Sequence, residues 1–465
     1  MSFSAIPRAI SARLYELRKR KSGEAAFMRY LKEFQGTETW DTERIRARQL
    51  TELKKIVSYA ETNCPFYKQR FAEYNLSTES IRCLDDLQRF PILEKSDIQQ
   101  NFAALTAQNW PESDRIQNHT GGSTSEPLRL LVNRDRKCSR DAGTRRHDTW
   151  AGGYLGVKKA TIWGAGVDIP EDNWKNWLIS RFVDREYFLN CGHLTEADIV
   201  DFHRKLSDFK PEIILAYAQS VTLVARYLKQ RGLVPHSPRS IITSAENLGP
   251  EDRELIEEVF RTQVFDRYGC REVSVIASEC EHQQLHTMSE CLVVEVVGND
   301  GKPVPRGETG SIVITDLFNF AMPLIRYRVG DMGAMSTKDS CPCGRGLPML
   351  ERVDGRISDF LVGTDGRLVS GPYFGCYLVG KCPQLGKVQI LQENVGEILF
   401  RVTHAPTESD ITFMQSSSEK MLGDGVKIAI EVVESIPPSA SGKQLVCRST
   451  ATVDFMNTNE PTNAG

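Results

Sequence analysis

Between Asn133 and Pro250 short apolar runs alternate with amphipathic ones, and this alternation limits what the chain can fold into more than any other feature. Ala160–Trp163 reads as a strand that ends at Gly164, Ala165 and Gly166. Glu212–Ala216 reads as a second strand followed by a helix through Leu228, and Ile241–Thr243 as a third. Taken as one stretch, Ile213–Leu228 is the most apolar in the chain. Gln219, Ser220 and Arg226 interrupt it, so it reads as a buried helix and not as a membrane span. Glu251–Phe260 places Leu255, Ile256, Val259 and Phe260 on one helical face. Strands separated in this way by helices predict parallel α/β layering.

The flanks read differently. From Phe27 to Phe90 the pattern is helical, with Leu50, Leu53, Val57 and Ala60 on one face and with Pro65 and Pro91 as breaks. Ser96 and Asp97 can cap a further short helix. From Cys291 onward the style is antiparallel β: strands at Leu292–Val297 and Ser311–Thr315, with turns at Gly298–Gly301 and Gly307–Gly310. A boundary is expected at Gly355–Asp359. Beyond it Gly386–Gln392 and Glu397–Thr403 read as a hairpin and Lys427–Val433 as a strand. The tail from Asn457 is small and polar and is expected to be disordered. There are no internal repeats.

Across this framework lie five short segments. The first is His119-Thr-Gly-Gly-Ser-Thr-Ser-Glu-Pro127, which runs into the strand-like Leu128–Val132. Its glycines permit close backbone approach, and its hydroxyls and N–H groups suit phosphate oxygens. No lysine follows the last glycine and no helix opens there, so it is not a Walker A loop. The others are Asp266-Arg-Tyr-Gly-Cys-Arg-Glu272, Pro323-Leu-Ile-Arg-Tyr-Arg-Val-Gly-Asp331, Gly355-Arg-Ile-Ser-Asp-Phe360 and Ile436-Pro-Pro-Ser-Ala-Ser-Gly-Lys443. Singly each has a plain explanation: a polar turn, a Tyr-Gly bend, a solvated Arg-Tyr-Arg strand, a surface lysine.

Together and in this order they resemble the adenylate-forming superfamily, most of all its phenylacetate-CoA ligase and CapK (coenzyme F390 synthetase-like) branch, over roughly residues 45–450. The resemblance implies a large α/β AMP-binding domain with a β-rich portion, residues 1–357, and a small mobile α+β lid, residues 358–465. It implies that a carboxylic acid attacks the α-phosphate of ATP, giving an acyl-adenylate that CoA then takes with release of AMP; an amine acceptor, or adenylyl transfer in polysaccharide or secondary-metabolite synthesis, is the alternative. By the same resemblance Thr120, Gly121, Gly122, Ser123 and Thr124 cradle phosphates, Ser244, Ala245 and Glu246 flank adenine, and Tyr268 of the Tyr268-Gly269 pair stacks on it. Glu272 helps to hold Mg²⁺, Asp331 accepts from the ribose hydroxyls, and Arg356 touches ribose or phosphate. Lys443 bridges the carboxylate and the α-phosphate, as charge neutralisation in phosphoryl transfer requires. The acyl pocket falls at Trp163, Gly164, Tyr217, Ala218 and Gln219, where the aromatics suit an aryl or aryl-acetic acid. Two departures stand out. Ser358 occupies the hinge position where many relatives carry Asp or Lys, and Ser125-Glu126-Pro127 lacks the lysine of the usual loop ending.

Cys280, His286, Cys341 and Cys343 form a second group, with His282 as a substitute nitrogen. Thiolates and imidazole are zinc ligands and four close a tetrahedron, but the spacing matches no standard finger. Reduced loop thiols explain it equally well; the branch it resembles has similar positions that can hold zinc, which would make the site structural. Neither His147 nor His193 has an evident partner.

Composition narrows the partners. A net charge of −3 argues against a general nucleic-acid binder. Twelve cysteines without a secretory signal fit a reducing cytoplasm. The basic, amphipathic N-terminus reads as a targeting or membrane-surface helix or, preferred here, as a solvated helix covering the domain, so no membrane partner is expected. Related enzymes are often homodimers.

Overall fold

The computed structural model describes residues 7–119, 128–164, 174–191, 193–246, 248–298, 300–354, 360–365, 368–436 and 447–449. Helices α1 (Arg8–Lys21), α2 (Ala26–Thr37), α3 (Thr42–Asn63) and α4 (Pro65–Glu73) open the chain. Asp41 caps α3 by accepting from the Arg44 N–H at 2.7 Å, and Pro65 starts α4 where its missing N–H costs nothing. Leu53, Val57 and Ala60 face the core as the spacing predicts. The helical reading to Phe90 overreaches: beyond Glu73 the chain makes only 3₁₀ turns at Thr78–Ser80 and Leu84–Arg89. Short helices α5 (Lys95–Gln100) and α6 (Phe102–Leu105) follow. Glu94, not Ser96, stands at the N-cap of α5, its N–H bonded to Asp97.

Strands β1 (Arg115–His119) and β2 (Arg129–Asn133) pair antiparallel, His119 opposite Arg129. Helix α7 (Arg134–Trp150) leads to β3 (Lys159–Trp163), α8 (Trp174–Leu178), a π-helical turn at Ile179–Asp184, β4 (Glu186–Asn190) and β5 (His193–Leu194). Then come α9 (Glu196–Phe209), β6 (Ile213–Tyr217), α10 (Ala218–Gln230), β7 (Ser240–Ser244), α11 (Pro250–Phe260) and β8 (Gln263–Cys270). The reading of Glu212–Ala216 as a strand followed by a helix holds, and that of Ile213–Leu228 as one buried helix does not: Ile213 and Ile214 are buried between layers, and the turn into α10 falls at Tyr217. Parallel strands are covered on both faces, so β6 is a short apolar run without polar alternation, and periodicity alone does not separate it from the helix that follows.

After β8 the chain forms β9 (Ser274–Glu279), β10 (Leu285–Thr287), β11 (Leu292–Val297), β12 (Gly310–Asp316), β13 (Tyr327–Met335) and β14 (Met349–Asp354). One eleven-stranded sheet runs β11-β12-β13-β14-β10-β9-β8-β7-β6-β3-β4. It is antiparallel as far as β8 and parallel from β8 to β4, which joins the two styles seen in the sequence. Apolar residues of α9, α10 and α11 cover the parallel half, and α2, α3 and α7 pack on the antiparallel half.

Strands β15 (Phe360–Val362) and β16 (Leu368–Ser370) pair with each other and β16 with β5. Helix α12 (Gly371–Lys381), β17 (Val388–Gln392), β18 (Glu397–Val402), α13 (Glu408–Leu422), β19 (Lys427–Val432) and β20 (Cys447–Ser449) complete the described chain. The hairpin β17–β18 forms where expected, and a four-stranded sheet β19-β18-β17-β20 builds around it. Its core, which includes Phe374, Ile390, Phe400, Met414 and Leu422, draws all its residues from position 361 onward.

Candidate active site

The parallel strands end in register. Trp163 lies opposite Asn190, Tyr217 opposite Ser244, and Ser244 opposite Arg267. Ligands of open α/β sheets bind beyond such carboxyl ends, because strand termini and helix N-termini converge there. This row brings the acyl-pocket candidates Trp163, Gly164, Tyr217, Ala218 and Gln219 beside Ser244, Ala245 and Glu246. The Trp163 and Tyr217 rings meet at 4.2 Å between centroids, tilted by 47°. Ala218 is buried at the first position of α10. The Gln219 N–H donates to the Glu246 carboxylate at 2.9 Å, so this acid sits on the helix N-terminus. Desolvation still pushes the Glu246 carboxyl up to about 7, and the Gln219 N–H opposes that only in part. Ala245 takes a left-handed φ of +71°, which turns the chain sharply after β7.

The second wall comes from β8 and β13. Although β9, β10 and β14 lie between them in the sheet, the Tyr268 hydroxyl donates to Asp331 at 3.0 Å. The sheet therefore curls until these strands meet. A register shift at Tyr268/Gly269 marks the bend, and Gly269 is needed there: a Cβ would lie 2.5 Å from the Ser274 carbonyl oxygen. Below Tyr268, Thr243 donates to Asp266 at 2.7 Å, and Arg253 clasps Glu279 through two contacts of 2.7 and 2.9 Å. Burial, with Glu279 nearby, pushes the Asp266 carboxyl up to about 6.

Glu272 is buried and accepts from the Tyr327 hydroxyl at 3.0 Å, while the Arg140 guanidinium donates to the Glu272 carbonyl. Burial, and then Arg136, lower the Arg140 pKa to about 10. Asn118 donates to the Arg271 carbonyl at 2.6 Å. One residue before the last described residue of β1, the chain is thus tied to the segment between Tyr268 and Glu272. Thr120, Gly121, Gly122, Ser123 and Thr124 lie outside the described residues, as do Arg356 and Lys443.

Sequence reasoning missed Tyr327, Asn118 and Arg140. Tyr327 lies within a segment whose plain reading was a solvated Arg-Tyr-Arg strand, and that reading fails. Arg326 is buried, pairs with Glu295 at 3.0 and 3.1 Å, and donates to the carbonyls of Gln88, Phe90 and Gly301. The alternation of a strand was the available signal, since it puts Tyr327 on the face opposite Arg328.

Cys280, His286, Cys341 and Cys343 do converge: one ligand atom from each lies within 4.8 Å of the others. The Sγ atoms of Cys280 and Cys341 are 3.6 Å apart, and Cys343 Sγ is 3.3 Å from His286 Nε2. His286 Nδ1 lies 2.9 Å from the Leu347 carbonyl, which fixes the tautomer and aims the Nε2 lone pair at the thiols. Ile45, Trp150, Leu347 and Met349 close an apolar shell around the group. His282 offers its backbone N–H to Cys280 Sγ at 3.4 Å. The eleven cysteines whose side chains are described are all free thiols. His147 is partnered after all: it is buried, stacks on Trp150 at 4.4 Å and lies 3.1 Å from Arg146 Nη2. The side chain of His193 is outside the described set.

No family model matches the chain. A phenylacetate-coenzyme A ligase of Thermus thermophilus is 27% identical over 334 residues, 70% of this chain and 73% of that protein. That of Pseudomonas putida is 27% identical over 340 residues, with the same two shares. Protein CapK of Staphylococcus aureus is 21% identical over 396 residues, 84% of this chain and 86% of its own length. The crystal structure of 2-hydroxyisobutyryl-CoA ligase with 2-HIB-AMP and CoA superposes with a TM-score of 0.62 at 20% identity, covering 89% of this chain and 92% of that one. In its postadenylation state the TM-score is 0.58, over 89% and 91%. The resemblance drawn from the five segments is borne out, and the fold is that of an adenylate-forming ligase.

Proposed function

We infer that this chain, whose fold is that of the adenylate-forming ligases and whose relatives include phenylacetate-coenzyme A ligases and CapK, is an ATP-dependent acid ligase. The carboxylate of an aryl or aryl-acetic acid attacks the α-phosphorus of ATP and pyrophosphate leaves. The CoA thiol then attacks the acyl carbon and AMP leaves. The observation that carries this reading is the hydrogen bond from Tyr268 to Asp331 beside the row of strand ends. It fixes one carboxylate where it can accept from two ribose hydroxyls, with an aromatic face next to it for the base. Trp163 and Tyr217 form the wall against which an apolar acid packs. The residue row, the phosphate loop between β1 and β2, and a lysine at 443 then surround one nucleotide, with residues 358–465 as the lid.

Glu272 suits a divalent cation: it is a buried carboxylate beside the segment tied to the root of the phosphate loop. When bound, Mg²⁺ neutralises phosphate charge. The thiol–imidazole group fits Zn²⁺ by its donors and by the tethered Nδ1 of His286, and all four positions are filled by protein. Zinc there is structural and pins the β9–β10 turn to the loop before β14.

A second reading has its own support. The match to CapK spans more of the chain than the matches to the phenylacetate-CoA ligases, 84% against 70%. CapK, unlike the other relatives, does not carry CoA ligase in its name, so an amine or another non-thiol acceptor for the same adenylate is the alternative to test. Mass spectrometry of products from ATP, a panel of acids and either CoA or amines separates the two. Acyl-thioester with AMP and pyrophosphate supports the first reading, and amide with AMP supports the second. Formation of ADP in place of AMP refutes both.

A further inference from the structure

We propose that α1 and α8 together form a face that docks the protein on the surface of an anionic lipid bilayer. Helix α1 sits on the body through one side only. Ser11 donates to the Phe182 carbonyl at 3.0 Å, Arg18 pairs with Asp184 at 2.9 Å, and Arg8 donates to the Leu155 carbonyl at 3.2 Å. Lys19 is buried against Glu24 and Asp141 at 2.5 and 2.6 Å. The opposite side carries Ile10, Leu14 and Leu17, spaced i, i+4, i+7, with exposures of 50%, 36% and 41%. Nothing among the described residues covers this stripe. Lys21 ends it at the next i+4 position, and Arg13 and Arg20 flank it, all three exposed.

Helix α8 is joined to the turn at Ile179–Asp184 on which α1 rests. Trp174 and Trp177 are 68% and 55% exposed, and Leu178 is 37% exposed. Trp177 meets Phe182 edge-on at 6.2 Å, and Phe182 is the residue whose carbonyl holds Ser11. The tryptophans therefore stand one contact away from α1. Each carries a cation: Lys175 lies 5.8 Å from the Trp174 ring and Arg181 lies 5.2 Å from that of Trp177. Exposed Tyr154, under Arg8 at 4.9 Å, extends the aromatic edge beyond the other end of α1.

Charge selects the occupant. The protein carries −3 overall, yet the exposed side of α1 carries Arg13, Arg20 and Lys21, α8 adds Lys175, and α1 holds a single acid. That one acid, Glu16, is paired with Arg13 at 2.8 Å, and Asp184 is paired with Arg18. A second copy of the chain would set this cationic face against itself. An anionic bilayer instead offers opposite charge and an interfacial layer in which tryptophan, leucine and snorkelling Lys/Arg side chains are all satisfied. Among the described residues no helix is long and apolar enough to cross a membrane.

The test is co-sedimentation of the full chain with vesicles of phosphatidylcholine alone and of phosphatidylcholine mixed with phosphatidylglycerol. Binding to the mixed vesicles only is expected, weakening as salt rises. At ~1 kcal/mol for each basic residue near the surface, Arg20→Gln, Lys21→Gln and Lys175→Gln combined should lower the partition coefficient about 100-fold. Leu14→Ser with Trp177→Ser should abolish binding while leaving the thermal midpoint near that of the parent. A blue shift of tryptophan emission on mixed vesicles should disappear in Trp174→Phe/Trp177→Phe. Equal recovery with both vesicle types, no recovery with either, or a concentration-dependent dimer that Leu14→Ser dissociates in place of vesicle binding, would each overturn the proposal.

Discussion

Replacing Tyr268 by phenylalanine removes one oxygen and leaves the ring in place. That oxygen donates to Asp331 at 3.0 Å, in a site where Asp331 is buried and the two strands meet only because the sheet curls. A hydrogen bond to a charged acceptor contributes about 1.5–3 kcal/mol. If Asp331 holds ribose in the orientation that Tyr268 sets, kcat/KM for ATP falls about 10- to 100-fold in Tyr268→Phe, at about 1.4 kcal/mol per tenfold. Tyr268→Ala also removes the stacking face, a further ~1–3 kcal/mol by analogy with base–aromatic stacking, and so falls about 5- to 150-fold more. The assay is acid-dependent ATP–pyrophosphate exchange with ATP varied. A phenylalanine variant within twofold of the parent, or one as impaired as the alanine variant, would refute the reasoning. The first outcome would mean that the hydroxyl positions nothing, and the second that the ring contributes nothing.

Three further predictions follow from the same structure. The Glu246 carboxyl is raised from 4.5 to about 7 in the folded state, so the folded chain holds that proton after the unfolded chain has released it, and stability falls as pH rises through that window. Glu246→Gln should flatten this decline in denaturation curves taken from pH ~4.5 to ~7; identical slopes would remove the desolvated carboxyl from the account. Arg146 and Glu290 are both fully buried and paired at 2.8 Å, so Arg146→Met should cost about 3–5 kcal/mol in urea unfolding, and Arg146→Met/Glu290→Leu should recover most of it. Elemental analysis should find zinc bound in equal amount to the chain and depleted in Cys343→Ser, with a lowered thermal midpoint; a metal-free parent purified without chelators would remove the site.

Much of the fold was legible because the relevant signals are local. The buried strands β3, β6 and β7 announce themselves as apolar runs, and α11 by its spaced Ile256 and Phe260. The split of Ile213–Leu228 into strand and helix was legible only in part, since burial on all sides erases periodicity. The active-site geometry depended on long-range register. Nothing near Asp331 states that β13 will reach Tyr268; that follows from bulges at Tyr268/Gly269 and Ala334/Met335, for which Gly269 is the one local sign. The thiol–imidazole group was open from spacing alone because its halves are joined by pairing: His286 sits opposite both Ser278 and Met349, and this draws Cys341 and Cys343 towards Cys280. The helix at the N-terminus was legible as amphipathic, but which of its faces packs on the body depends on Ser11 and Arg18 finding partners near residue 183.

The central claim is that separate segments of this chain gather around one ATP to activate a carboxylic acid. Isotope exchange between pyrophosphate and ATP, run across a panel of aryl, aryl-acetic and aliphatic acids, tests it most directly. The account predicts exchange that depends on one acid class and is abolished in Lys443→Ala and in Asp331→Ala, with both variants folded. Exchange that needs no acid, or that survives both substitutions at the parental rate, would contradict it.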